Sequence, residues 1–213
     1  AVVGPSAAGK TTLIRAAMAR EPRLRLVLNN TSRAQRPDEV AGVDYRFETR
    51  ARMLTRIANR EYVQVAPSVF GDLYATAAED YTTDGVALLP VLADAVASFR
   101  ALPFRNFLTL YVLPVDWQSL HARLAERRCD PRTLAGRLAE ARRSLAFAAT
   151  DDRVRFVIND DLDVATGDLV TLALRRPAPD RLLRDQVRAR QLAGRLLADE
   201  PALDDRLALQ PTA

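Results

Sequence analysis

Gly4-Pro5-Ser6-Ala7-Ala8-Gly9-Lys10-Thr11 puts a lysine and a hydroxyl residue directly after the second of two glycines, with Thr12 following. The string fits G-x-x-x-x-G-K-[ST] in full, and its chemistry is the binding of phosphate. Glycines let backbone N–H groups converge on phosphate oxygens, a lysine reaches the β and γ oxygens as a compact charge, and a threonine hydroxyl can serve Mg2+. Lys10 is the only lysine among 213 residues, while every other fixed cation is an arginine. A guanidinium fork is too broad for such a pocket, so the exception fits the chemistry. The residues expected to hold a nucleoside triphosphate are therefore Gly4, Pro5, Ser6, Ala7, Ala8, Gly9, Lys10, Thr11 and Thr12, with Thr11 as the metal-side ligand.

The elements around the motif agree with it. A short apolar run over 1–3 precedes it, and a helix carrying Leu13, Ile14 and Ala17 on one face follows, the strand-loop-helix setting that the motif needs. Further β-rich runs fall at 24–28, 62–65, 86–91, 107–113 and 155–158. Between them, 11–20, 51–60, 93–102, 116–128, 131–149 and 162–174 space apolar residues three and four apart, the helical period. Alternation of strand and helix predicts an α/β fold with a mainly parallel central sheet. Pro177 and Pro179 mark a break over 175–180, after which 181–200 is amphipathic. That last helix either lies on its own domain or pairs two copies as a homodimer.

Bulk properties exclude several classes. With 48% apolar and 27% charged residues of interleaved sign and a net charge of +4, the chain reads as globular. Its pI near 9.7 invites nucleic acid, but the arginines alternate with acids and aromatics are only 6%, so no nucleic-acid partner is expected. The most apolar stretch, 86–97, is too short to span a bilayer, so no membrane partner is expected either. A single cysteine, Cys129, cannot form an internal disulfide, and no signal peptide is visible, which points to a reducing, cytoplasmic setting. His121, without a second histidine to pair with, reads as a surface residue.

Beyond the phosphate motif, N-T-S-R-A-Q-R-P-D-E-V-A-G-V-D-Y-R-F (30–47) resembles the acceptor-binding segment of the guanylate kinases, P-loop nucleoside monophosphate kinases. F-G-D-L-Y-A-T (70–76), R-L-A-E-R-R (123–128), A-G-R-L-A-E-A-R-R-S-L-A-F-A (135–148) and V-I-N-D-D-L-D (157–163) are similar to further family stretches in the same order. The resemblance covers about 1–174. It implies a three-layer P-loop fold with a small monophosphate-binding subdomain at 29–76, a helical lid at 123–149, a core of 1–28, 77–122 and 150–174, a linker at 175–180 and an extension over 181–213.

The resemblance further implies ATP as phosphoryl donor, Mg2+ as cofactor, small-molecule nucleotides as partners and GMP as the first candidate acceptor. Arg33, Arg36, Tyr45 and Tyr74 would clamp the acceptor's phosphate; two arginines three apart can fork onto one dianion while tyrosine hydroxyls complete its hydrogen bonds. Lys10, Arg123, Arg127 and Arg137 would neutralise charge on the transferring group. Arginine is abundant enough here that each of these last three also reads as surface charge. Asn159 would lie near the adenine, or else cap the helix that follows.

The departures concentrate at the base. The family's serine before the arginine loop and its acids in the next strands correspond here to Asn29, Gln64, Pro90 and Leu92, while Thr76 keeps a hydroxyl. Asn29, Gln64 and Thr76 are the base-reading candidates. An amide presents one acceptor and one donor group, so Gln64 cannot copy a carboxylate's two-acceptor grip on guanine. Three readings stay open: a guanylate kinase, a kinase of another phosphorylated small molecule, and a guanylate-kinase-like binding module without turnover.

Overall fold

A computed structural model describes residues 1–37, 39–68, 71–81, 84–125 and 131–198. Its centre is a parallel sheet. β1 (Val2–Val3) pairs with β8 (Thr109–Leu113), which pairs with β9 (Val154–Ile158); β2 (Leu24–Leu26) pairs with β7 (Val86–Leu88). A parallel bridge between Val2 and Pro90 joins the two groups, with Val2 N–H donating to Leu89 at 2.7 Å and Val91 N–H to Val2 at 3.1 Å. The resulting order is β2-β7-β1-β8-β9.

β8 reads TLYVL and is buried throughout, as a central strand covered on both faces should be. Its alternation divides the core. Leu110 and Val112 pack against α1 (Lys10–Arg20) and α6 (Leu162–Ala173), with Leu13, Ile14 and Leu169. Tyr111 and Leu113 face α3 (Val96–Arg100), α4 (Trp117–Ala125) and α5 (Pro131–Thr150), with Phe99, Trp117, Leu120 and Leu145. Period-two strands between two helical layers give the expected α/β sandwich.

A second, four-stranded sheet in the order β4-β3-β6-β5 projects from the first. Its strands are β3 (Asn30–Thr31), β4 (Arg46–Phe47), β5 (Gln64–Pro67) and β6 (Leu73–Thr76), and α2 (Arg50–Ala58) buries Met53 against Leu73 and Ala75. Of these strands the sequence pattern predicts only the run at 62–65. The others are two to four residues long, too short for periodicity to register. Asp80 ties this region to the core, pairing with Arg46 and accepting from Ala77 N–H at 2.7 Å.

α7 (Asp180–Ala198) lies on its own domain, against α5 and β9, with Leu182, Ala189, Ala193 and Leu196 buried. Gln186 accepts from Phe156 N–H at 2.7 Å and donates to Phe156 C=O at 3.0 Å, so its amide takes the place of a further strand along the edge of β9. Trp117 Nε1 donates to Leu196 C=O at 2.6 Å. Leu183 and Val187 stay exposed on the outer face. Among the described residues, no helix is long and apolar enough to cross a membrane.

Candidate active site

The phosphate motif forms the turn between β1 and α1. Gly4 and Gly9 have φ of 149° and 89°, and Ala7, at 66°, sits in the left-handed region without being glycine. A side chain at Gly4 would bring Cβ within 2.6 Å of Val112 O, and one at Gly9 within 2.4 Å of Asn159 Nδ2. The loop is thus held tight against the sheet by backbone approach, and such alternation of conformations turns successive N–H groups toward one point. Gly9 caps α1, whose positive end adds to the same site. Lys10 Nζ donates to Gly4 C=O at 2.6 Å and Pro5 C=O at 2.8 Å, folding the ammonium back over its own loop.

Asn159 and α5 brace the cradle from the far side. Asn159 is buried directly after β9, is tied to β8 by Asn159 N–H to Leu113 C=O at 2.9 Å, and donates from Nδ2 to Ala8 C=O at 2.7 Å. It does not cap α6; Asp161 does, accepting from Val164 N–H. Arg137 donates to Ser6 Oγ at 2.7 Å, while Glu140, one turn further along α5, accepts from Ser6 N–H at 3.0 Å. Burial pushes the Glu140 carboxyl above its usual range, against the opposing pull of Lys10 and of the Ser6 hydrogen bond. Arg123 lies close by, its Nη1 3.9 Å from where a Cβ on Gly9 would stand. Arg127 and Cys129 lie outside the described residues.

Across the cleft, the second sheet and its loops bring together Arg33, Arg36, Tyr45 and Tyr74, the residues expected to clamp a phosphate. Arg33 donates from Nε to Tyr74 OH at 3.2 Å, and its guanidinium stands 5.3 Å over the Tyr45 ring, which meets Tyr74 edge-on at 6.1 Å. Burial, helped by the neighbouring Tyr74, pushes the Tyr45 hydroxyl up to about 12, so at neutral pH it is a donor. Glu39 adds what the sequence reading missed. Its carboxylate grips Arg33 in a two-pronged pair at 2.8 and 3.0 Å, accepts from Arg36 N–H at 2.9 Å and lies 3.6 Å from the Arg36 guanidinium. Burial disfavours charge on Arg33, but Glu39 and Tyr74 more than offset it and hold the guanidinium more firmly protonated than usual. Arg33 is 13% exposed and Arg36 36%, which makes Arg36 the more accessible arm.

One cleft of about 440 Å³ is lined by both sets: Ser6, Gly9, Lys10, Thr11 and Thr12 on one wall, Arg33, Arg36, Tyr45 and Tyr74 on the other, with Arg137 and Glu140 between. Asn29 and Gln64 also line it, beside Pro90, Val91 and Leu92. Asn29 donates to Pro90 C=O at 3.3 Å. Thr76 is buried away from the cleft, its hydroxyl sharing a hydrogen bond with Tyr81 at 2.8 Å. The signals for the two missed acids were in the sequence. Glu39 stands three residues after Arg36 in the quoted loop, and Glu140 three after Arg137 on a helix, where side chains share a face. His121, read as a surface residue, is half-buried with its Nε2 unpartnered, and burial lowers its pKa.

The residue types of the cradle suit a triphosphate: Gly4 and Gly9 let the loop close against Val112 and Asn159, where a Cβ would not fit, and Lys10 stands over it. For Mg2+, Thr11 offers its exposed hydroxyl at the cleft. Among the described residues no cluster of three or more His, Cys, Asp or Glu can hold a metal alone. A magnesium ion held largely by phosphate oxygens and water, with Thr11, suits this donor set.

Comparison with known proteins agrees with this geometry. The family model "Guanylate kinase" matches residues 1–173. The guanylate kinase of Mycolicibacterium paratuberculosis is 38% identical over 185 residues, covering 84% of this chain and 81% of its own. That of Thiobacillus denitrificans is 32% identical over 190 residues, covering 86% and 89%. The crystal structure of guanylate kinase from Anaplasma phagocytophilum superposes with a TM-score of 0.62 at 18% identity, over 99% of this chain and 96% of that one, which shows a shared fold. With the family's model spanning the sheet, the cradle and the clamp alike, this chain belongs to the guanylate kinase family.

Proposed function

We propose that the protein is an ATP-dependent guanylate kinase, moving the γ-phosphoryl group of ATP directly to the phosphate of GMP. The observation that carries this reading is the single cleft lined by Lys10 on one wall and by Arg36, Tyr45 and Tyr74 on the other. Two anionic reactants have to meet there, so catalysis is alignment and charge neutralisation, with no covalent protein intermediate and no dedicated base. Lys10 takes the β and γ oxygens, and the N–H groups of the Gly4–Thr11 loop hold the chain of phosphates. Arg33, Arg36 and the two tyrosine hydroxyls hold the acceptor phosphate, with Glu39 fixing Arg33 through its two-pronged pair. Arg123, Arg127 and Arg137 would neutralise charge on the transferring group. Bound Mg2+ supplies charge neutralisation and orientation of the phosphates, and Thr11 would hold it. Asn159 braces the loop on which the adenine nucleotide rests.

We assign 29–76 as the acceptor-binding region, 123–149 as the lid and 1–28, 77–122 and 150–174 as the core, with 175–180 linking to the extension at 181–213. A homodimer through α7 would use Leu183 and Val187, because the other face of α7 is spent on its own domain. The partners are small nucleotides, and the single cysteine suits a reducing cytoplasm. The test is ADP release from ATP and Mg2+ with GMP, dGMP, AMP, CMP, UMP and a sugar phosphate as acceptors. Release with GMP well above the ATP-only rate is expected. Turnover of the sugar phosphate alone would move the protein to the kinases of other phosphorylated small molecules.

A further inference from the structure

Two glutamines in this fold stand in opposite circumstances. Gln186 satisfies both ends of its amide on the backbone of Phe156. Gln64 is only 8% exposed, and its Nε2 is buried without a hydrogen-bond partner. A donor left like that costs stability, and a native structure that keeps one commonly has a use for it. Gln64 lines the cleft, and the pairing of β5 with β6 shows where. Thr76 is its direct cross-strand partner and Tyr74 that of Ala66, so Gln64 and Tyr74 share one face of the sheet as diagonal neighbours. That separation is about 7 to 8 Å. The amide therefore stands beyond the clamp, where a nucleotide held by its phosphate carries its base.

What surrounds Gln64 there is neutral. Asn29 has its Nδ2 tied to Pro90 C=O, Thr76 is turned to Tyr81, and Pro90, Val91 and Leu92 are apolar. Of the acids lining the cleft, Glu140 is held by the phosphate loop, Asp94 lies 3.5 Å from Arg143, and Asp72 stands beside Ser68 at the turn of the β5–β6 hairpin, the end opposite the Gln64–Thr76 pair. We infer, resting on the kinase reading above, that Gln64 reads the acceptor's base alone, pairing with the O6 and N1–H of a 6-oxopurine and leaving the 2-position unread, so that inosine monophosphate is phosphorylated as readily as GMP. The chemistry is that of an amide. Nε2 donates to O6 and Oε1 accepts from N1–H, and the amide has no second oxygen to place against a 2-amino group as a carboxylate would. Adenine presents donor and acceptor exchanged, for which the amide would have to turn over. The decisive pair is guanine against hypoxanthine, which differ only at the 2-position.

The test compares kcat/KM for GMP and IMP in the wild type, Gln64→Glu and Gln64→Ala. The wild type should treat the two acceptors within about threefold, because neither loses a hydrogen bond relative to the other. Gln64→Glu, which supplies two acceptors to N1–H and N2–H, should raise the GMP to IMP ratio roughly tenfold or more. Gln64→Ala should lower both acceptors together, leaving their ratio near that of the wild type. A wild type preferring GMP tenfold or more would overturn the inference and direct attention to Asp72 and Asp94. So would a Gln64→Glu variant in which both acceptors move alike, since damage to the fold alone has that signature. Turnover of neither acceptor by a protein that still binds ADP in a thermal-shift assay would sink the kinase reading itself, and this inference with it.

Discussion

At the donor end of the cleft Gly4, Ala7 and Gly9 all take positive φ, and the loop is fixed by backbone contacts to Val112 and by the amide of Asn159. At the acceptor end none of Arg33, Arg36, Tyr45 and Tyr74 does, and the clamp is set by side chains acting on side chains, above all Glu39 on Arg33. In the proposed reading the two ends would hold the same chemical group, a phosphate, by different means. A site made of backbone N–H groups is insensitive to most neighbours and intolerant of a Cβ. A site made of side chains is adjusted by every charge packed against it, and its specificity can drift while its phosphate grip persists. The molecule combines a donor cradle that fits its motif letter for letter with an acceptor pocket whose far end is neutral.

The largest effect should come from the one side chain that the donor end does depend on. Lys10→Ala removes the ammonium folded over the loop but no part of the buried core, so the fold should persist and turnover fall by roughly a hundredfold or more. Steady-state kinetics beside a thermal melt separate the two. Wild-type turnover in this variant would mean that the cradle works through backbone alone.

At the acceptor end, Arg36→Ala removes the more accessible arm of the clamp. Each charge-assisted hydrogen bond lost there is worth about 1.5 to 3 kcal/mol, so the KM for the acceptor should rise about ten- to a hundredfold. The KM for ATP should hardly move, and equal weakening of both would place Arg36 on the wrong side of the cleft. Glu39→Gln makes a finer cut. It takes a negative charge away from a site for an anion, which favours binding, but it also frees Arg33 from a two-pronged grip, which costs alignment. With Arg33 only 13% exposed and held at 2.8 Å, alignment should win, and the acceptor's KM should rise by about three- to tenfold. A tighter acceptor would show that Glu39 competes with the phosphate.

The same contrast explains what was legible in the sequence. The donor cradle could be read because backbone binding requires glycine at fixed spacing and a helix start directly after it, all local. The central sheet could be read because β8 and β9 are five-residue strands rich in aliphatic and aromatic residues, flanked by long helices with clear period. Most of the second sheet could not, because Asn30–Thr31 and Arg46–Phe47 are strands only by virtue of partners 16 to 45 residues away. Glu39 and Glu140 escaped notice for a related reason. Each acts on a group, Arg33 or Ser6, whose nearness is set by a loop fold or by the docking of α5. Thr76 shows the converse, a residue placed at the base by sequence whose hydroxyl the fold directs to Tyr81.

The smallest effect tests whether the donor end is as independent of neighbouring charge as its backbone construction suggests, and it turns on Glu140. Burial holds this carboxyl above its ordinary pKa while it accepts from Ser6 N–H in the phosphate loop. A carboxyl whose folded pKa is raised binds its proton more tightly folded than unfolded. The stabilising contribution is complete below the unfolded value of 4.5 and is lost as pH rises through the folded value, because the charge must then be carried in a buried place. A glutamine side chain would accept from Ser6 in the same way and carry no charge at any pH, so Glu140→Gln should melt together with the wild type near pH 4 and above it near pH 7.5. The gap should be on the order of a few degrees for a protein of this size. If it stays constant across that range, Glu140 is charged throughout at no cost, and Lys10 has neutralised it more fully than its burial would allow. Adding ADP sharpens the comparison, since phosphates entering the cradle bring negative charge toward Glu140 and should widen the gap at pH 7.5 while leaving it closed at pH 4.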